Sequence, residues 1–172
     1  QTLFADVDVG DGKQYATLED AKEAVWKFAQ EHPAFLPSIA VKSGSGLHLY
    51  WLLDQPIPPE TWKPLADGLK ALCAQSGFKI DPAVTGDAAR ILRPVGTLNH
   101  KYNPPAKVAG RAPTDKRYSA DELSKALQSA LSSTSSRNGN SELAEVSPSL
   151  AAQGAASSGE LGSELGQPSA DL

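Results

Sequence analysis

A chain of 172 residues, 40% hydrophobic and 21% charged, has the balance of one ordinary globular domain and not of a membrane-embedded or wholly disordered protein. No apolar run approaches the ~20 residues of a bilayer span, and no basic stretch leads into an apolar one at the start, so neither a membrane segment nor a secretory signal is expected and the expected setting is cytoplasmic. The net charge of −4 hides a division: from Ser132 onward one base (Arg137) stands against five acids, residues 1–131 hold 15 bases and 15 acids, and 90–117 alone holds seven bases against Asp115, a local excess suited to a polyanion.

In chain order, Leu3 to Val9 alternates as a strand with Phe4, Asp6 and Asp8 in one phase. Thr17 to Gln30 fits a helix whose Thr17 and Asp20 have the spacing of a capping box, ended by Pro33 and Pro37. Ser38–Lys42 and Leu47–Leu53 are β-prone and separated by Ser-Gly-Ser-Gly, which predicts a hairpin. Pro59 to Gln75 carries Trp62, Leu65, Leu69, Leu72 and Cys73 at helical spacing, with Pro64 expected in the first turn, where proline is tolerated. Cys73, the lone cysteine, excludes an internal disulfide and reads as a small core residue. Short strands are predicted at Ile91–Arg93 and Lys107–Ala109, and Ser119-Ala120-Asp121-Glu122 is a capping box for a last helix to about Leu131. The pattern is α+β: a mostly antiparallel sheet with helices on one face, over residues 1–131. Residues 132–172 are rich in Ser, Ala, Gly and Glu, lack aromatics, and are expected to be a disordered low-complexity tail. The start at Gln1 and the absence of methionine suggest a fragment or processed product.

The chemistry-bearing residues fall in three pieces. Asp6 and Asp8 lie two apart on a strand, so both carboxylates share a face. Two such acids repel unless a cation or base lies between them, and hard oxygens suit Mg²⁺ or Mn²⁺. The bland alternative is an edge strand with both acids in water. The second piece, Ser43-Gly44-Ser45-Gly46-Leu47-His48, could bring backbone amides close to phosphate oxygens, with His48 sharing a face with Tyr50. It is not a dinucleotide fingerprint, since Leu49 stands where the third glycine belongs. A lone histidine is also often structural, and His32 and His100 are read that way. The third piece is Asp81, which could equally cap a turn, followed by Arg90, Arg93 and Lys101, suited to phosphate. Asp87 is read as a turn acid, and Thr97 and Asn99 as turn caps or sugar contacts.

In this order the three pieces resemble the archaeo-eukaryotic primase superfamily, in particular the primase-polymerase domains of plasmid and phage replication proteins, over roughly residues 3–102. The Asp-x-Asp strand is matched by Asp6 and Asp8, the small-residue turn into a histidine strand by Ser43, Gly44, Gly46, His48, Tyr50 and Trp51, and the later acid by Asp81. Arg90, Arg93, Gly96, Thr97, Asn99 and Lys101 match the arginine-rich strand and Gly-Thr-x-Asn-x-Lys stretch that follow, although Val95 separates Pro94 from Gly96. The resemblance implies a split domain with an RNA-recognition-like α+β sheet, and template-directed nucleotidyl transfer in DNA replication. Asp6, Asp8 and Asp81 would hold two Mg²⁺ or Mn²⁺ ions, and His48 with Asp6, Asp8 and Asp81 would form the catalytic set. Ser43, Gly44, Gly46, His48, Arg93 and Lys101 would bind the nucleoside triphosphate, and Arg90, Lys107 and Arg111 the single-stranded DNA template. A replicative helicase is an implied partner. Members carry an α/β segment ahead of the first motif, so the resemblance also implies a chain shortened at its N-terminus.

Two other readings use the same residues. A non-catalytic module of this fold would hold single strands through the basic 90–117 stretch and aromatics such as Tyr102. A metal-dependent nuclease would use the same acids, but has less use for the glycine turn. A nicking replication initiator would need a His-x-His pair, which the chain lacks.

Overall fold

The computed structural model describes residues 1–138, with side chains through Ser133. Strand β1 (Thr2–Val7) runs into a loop, helix α1 (Leu18–Glu31), a 3₁₀ turn (Pro33–Phe35) and the hairpin of β2 (Ile39–Lys42) and β3 (Leu47–Leu52). Helices α2 (Pro59–Gln75) and α3 (Pro82–Thr85) follow, then β4 (Leu98–Asn99), β5 (Ala106–Lys107), β6 (Ala109–Arg111) and α4 (Ala120–Asn138). The main sheet is antiparallel with strand order β1-β3-β2-β6, and β4 pairs with β5 in a separate ribbon.

The β1–β3 register decides which residues become core and which become site. Leu3, Ala5 and Val7 stand opposite Trp51, Leu49 and Leu47, all buried, while Phe4 and Asp6 stand opposite Tyr50 and His48 on the other face. The first set joins Ala21 and Phe28 of α1, Leu65, Leu69, Leu72 and Cys73 of α2, and Leu123 and Leu127 of α4 in one core. The fully buried Trp51 satisfies its indole by donating Nε1–H to the Phe35 carbonyl at 2.8 Å. Helices α2 and α4 meet where a Cβ on Gly68 would stand 2.8 Å from a Leu127 methyl, so the small residue sets their approach.

Local signals account for most boundaries. Thr17 caps α1 with the reciprocal Thr17–Asp20 hydrogen bonds of a capping box, and the Ser119 hydroxyl accepts from the Glu122 amide at the start of α4. Five expectations change. β1 ends at Val7, not Val9, because the Asp8 carbonyl accepts from Tyr15 and Val9 makes only an isolated bridge to that residue. Pro64 lies in the second turn of α2 and not the first; it sits on the exposed face, where water can satisfy the Glu60 carbonyl left without its N–H. Residues 91–93 form no strand: an Asp87 side-chain turn and Pro94 bracket them, and Ile91 is 91% exposed with no sheet face to join. The strand expected at 107–109 divides into β5 and β6, which join different sheets on either side of the fully buried Val108. Helix α4 also continues past Leu131 into the first residues assigned to the tail; the remainder of that tail lies outside the described residues.

Candidate active site

Cross-strand pairing puts Asp6 of β1 directly opposite His48 of β3, with His48 Nε2 3.6 Å from Asp6 Oδ1. That distance is beyond hydrogen-bond range, and the charges do not suit an ion pair either. Burial, followed by the Arg93 charge, pushes the His48 imidazole down to about 4, so it is neutral at pH 7. Burial, followed by repulsion from Asp8 and Asp81, raises the Asp6 carboxyl to about 6, with Arg90 and Arg93 pulling the other way. The Tyr50 hydroxyl lies 3.5 Å from His48 Nδ1, and the two rings meet edge-on.

Backbone bonds bring in the other acids. The Asp81 amide donates to the Asp6 carbonyl at 2.8 Å, and the buried Thr85 hydroxyl accepts from the Asp6 amide at 3.4 Å, so α3 is tied to β1 at the acid position. Asp81 also caps α3, its Oδ1 accepting from Ala83 and Val84. Asp8 has its amide held by Gln14 Oε1 at 3.1 Å and its carboxylate by Lys13 Nζ at 3.2 Å. These acids line a cleft of about 1110 Å³ together with Ser43, Ser45, His48, Arg90, Arg93, Lys101 and Tyr102.

The hairpin turn contributes differently from the sequence expectation. Ser43 and Ser45 line the cleft but Gly44 and Gly46 do not. A Cβ on Gly46 would stand 2.5 Å from the Val7 carbonyl, and one on Gly44, at φ +139°, 2.5 Å from the Tyr102 ring. Both glycines therefore admit close neighbours within the protein, and the Ser45 amide and hydroxyl are bonded to the Tyr102 hydroxyl. Asn99, buried, donates to the Ser43 carbonyl and accepts from the Lys101 amide, which places Lys101 at the cleft.

Of the predicted site residues, the cleft gathers Asp6, Asp8, His48, Asp81, Ser43, Arg90, Arg93 and Lys101. Lys107 lies on the β4–β5 ribbon, and Arg111 lines a separate apolar groove against α1 with Ala40 and Leu49; neither lines the cleft. His32 bonds Ser76 and packs on Phe28, and His100 lies outside the cleft lining. Sequence reasoning missed Thr85 and Lys13, whose partners are set by tertiary folding and by a loop. Gly10 and Gly12, both at positive φ, were the available sign that a tight loop returns Lys13 toward Asp8.

The donor type fits a hard divalent cation: three carboxylates line one cleft, and burial followed by the repulsion of Asp8 and Asp81 raises the Asp6 carboxyl. Among the described residues, however, no three His, Cys, Asp or Glu are drawn close enough to cage a metal ion. Also among them, no helix is long and apolar enough to cross a membrane.

No protein-family model and no curated protein matches the chain. Among solved structures it is similar to the archaeo-eukaryotic primase domain of the cyanophage S-2L primase-polymerase, at 19% identity and a TM-score of 0.52, over 73% of this chain and 59% of that one. It is also similar to the primase RepB′, at 15% identity and a TM-score of 0.51, over 80% of this chain and 43% of that one. The chain thus spans less than two thirds of either neighbour. With the antiparallel sheet, the helices packed on it and the Asp6–His48 pairing already in place, these likenesses give the chain the archaeo-eukaryotic primase-type fold.

Proposed function

We propose that this domain is a nucleotidyltransferase of the primase-polymerase kind, making or extending primers on single-stranded DNA during plasmid or phage replication in the cytoplasm. The observation that supports this most is that one cleft is lined both by the acids Asp6, Asp8 and Asp81 and by the bases Arg90, Arg93 and Lys101. Such a cleft can take a triphosphate together with its counter-cations. Asp6, Asp8 and Asp81 would hold Mg²⁺ or Mn²⁺, which when bound would activate a primer hydroxyl and offset phosphate charge. A neutral His48 keeps one ring N–H as a donor; in the tautomer protonated at Nε2, which leaves Nδ1 to accept from the Tyr50 hydroxyl, that N–H would face the Asp6 side of the cleft and could meet a phosphate oxygen there. Arg93 would grip the phosphates as a fork and Lys101 as a point charge, while Arg90 would meet the template strand. Ser43 would line the nucleotide side; Gly44 and Gly46 would act by keeping the turn close to β1 and Tyr102. Nucleoside triphosphates and single-stranded DNA are the proposed substrates, and a replicative helicase a proposed partner.

One observation favours the second reading, a non-catalytic single-strand-binding module: Asp81 Oδ1 is committed to a helix cap and Asp8 to Lys13. Primer extension and de novo primer synthesis on single-stranded DNA with Mn²⁺ or Mg²⁺ separate the two. Metal-dependent product that disappears in the Asp6→Ala/Asp8→Ala double variant is the expected result. Absence of product with single-strand binding that survives those substitutions would replace the enzyme reading with the binding module.

A further inference from the structure

Lys13 holds a place in the cleft that the primase-type motifs do not assign. Its Nζ lies 3.2 Å from Asp8 Oδ2, and among the described residues it is the one lysine or arginine in ion-pair contact with a cleft acid. The loop that carries it is pinned at both ends. Gly10 N–H donates to the Tyr15 carbonyl, Tyr15 N–H to the Asp8 carbonyl, Lys13 N–H to the Gly10 carbonyl, and Gln14 Oε1 accepts from the Asp8 amide. Gly10 at φ +137° and Gly12 at φ +69° permit the reversal that sends the lysine back to the strand end. Both members of the pair are partly exposed, at 53% and 38% of the side chain, and an exposed pair of this kind adds little to folding stability. The loop is held by its backbone bonds and by Tyr15, which packs on Phe78 and accepts from the Lys79 amide, so the Lys13–Asp8 contact itself is not needed to hold the fold together.

We propose that Lys13 is a cation placeholder and nucleotide-binding residue: it neutralises Asp8 until a divalent cation takes the carboxylate, and then moves to the triphosphate. The inference rests on the nucleotidyltransferase reading above. Like charges repel, so a cation at Asp8 displaces Nζ, and the nearest new anion is the phosphate arriving with that cation. Lysine suits this exchange, because a compact ammonium on a flexible four-carbon stem can change partners without a fixed fork geometry. No bond is made or broken in the exchange; only the ionic partners change.

The test uses the full chain and its Lys13→Met and Lys13→Arg variants, with folding checked by circular dichroism. Two affinities are measured without template, so that no turnover occurs: Mn²⁺ alone by electron paramagnetic resonance, and dGTP with Mn²⁺ by calorimetry. Lys13→Met is expected to bind Mn²⁺ alone about threefold or more tightly, and dGTP about tenfold more weakly, while Lys13→Arg stays near wild type for dGTP. If Lys13→Met matches wild type in both affinities, Lys13 is only a solvated surface pair and the inference is overturned. Tighter Mn²⁺ with unchanged dGTP would overturn the nucleotide role and keep the placeholder. Wild-type protein that binds neither ligand would overturn the nucleotidyltransferase reading itself, an outcome distinct from both.

Discussion

Asp6 and His48 face each other across a strand pair, yet burial drives them in opposite directions. The Asp6 carboxyl is raised from 3.8 to about 6, so the stability its protonation contributes is full below about pH 4 and is lost as pH rises through 6. The His48 imidazole is lowered from 6.5 to about 4, so the stability of its neutral form is present above pH 6.5 and lost as pH falls through 4. In wild-type protein the two slopes oppose each other over the same window. Removing one should expose the other: in urea titrations at pH 4.5 and 6.5, Asp6→Asn should gain stability toward the higher pH and His48→Gln should lose it. Parallel slopes in the two variants would show that burial does not govern this pair. The same proton bears on ion binding. Mn²⁺ affinity measured by electron paramagnetic resonance should rise by up to about tenfold per pH unit below 6 and flatten above it, as the proton on Asp6 ceases to compete. At this scale much of the site was legible: Asp6, Asp8, His48 and Asp81 were named from residue type and spacing and meet in one cleft. Lys13 and Thr85 were not, because a lysine five residues past an acid and a threonine 79 residues from its partner have no periodicity to announce them.

Elements hold the site through a few close approaches. Gly46 lets the start of β3 pass the end of β1, and a methyl there would meet the Val7 carbonyl at 2.5 Å. Gly46→Ala should cost about 2–3 kcal/mol in chemical denaturation, and should disturb the cleft as well, because Asp8 follows Val7 directly. Thr17→Ala, which removes the reciprocal cap of α1 at a residue that does not line the cleft, should cost about 1 kcal/mol and leave nucleotide binding unchanged. The contrast separates a substitution that moves the site from one that only weakens the fold. The elements themselves were well marked where a cap, a proline or a glycine turn punctuates them, as at Thr17, Pro59 and 43–46. They were poorly marked from 86 to 111. There Ile91-Leu92 has strand-like composition but lines the cleft unpaired, β4 and β5 are only two residues each, and β6 depends on β2, distant in sequence.

At the scale of the molecule, the charge division becomes a spatial one. The described body is close to neutral, but Arg90, Arg93 and Lys101 are gathered at one cleft, away from Arg111 on the opposite sheet face. Single-stranded DNA binding should therefore weaken with salt despite the net charge of −4. Replacing the three cleft bases by alanine should reduce the slope of log affinity against log salt by about 2, measured by fluorescence anisotropy, whereas Arg111→Ala should leave it unchanged. An equal effect from Arg111 would put the template on the other side of the sheet.

The sequence by itself determined the α+β class, the hairpin, the capped helices and the identity of the acids and histidine, since each follows from local periodicity, local turn chemistry or residue type. Only the tertiary structure decided that Asp6 and His48 stand opposite each other, that the glycines serve packing against Val7 and Tyr102, and that Arg111 lies away from the cleft. Those facts depend on strand register and on contacts between residues far apart in the chain, which no local pattern encodes.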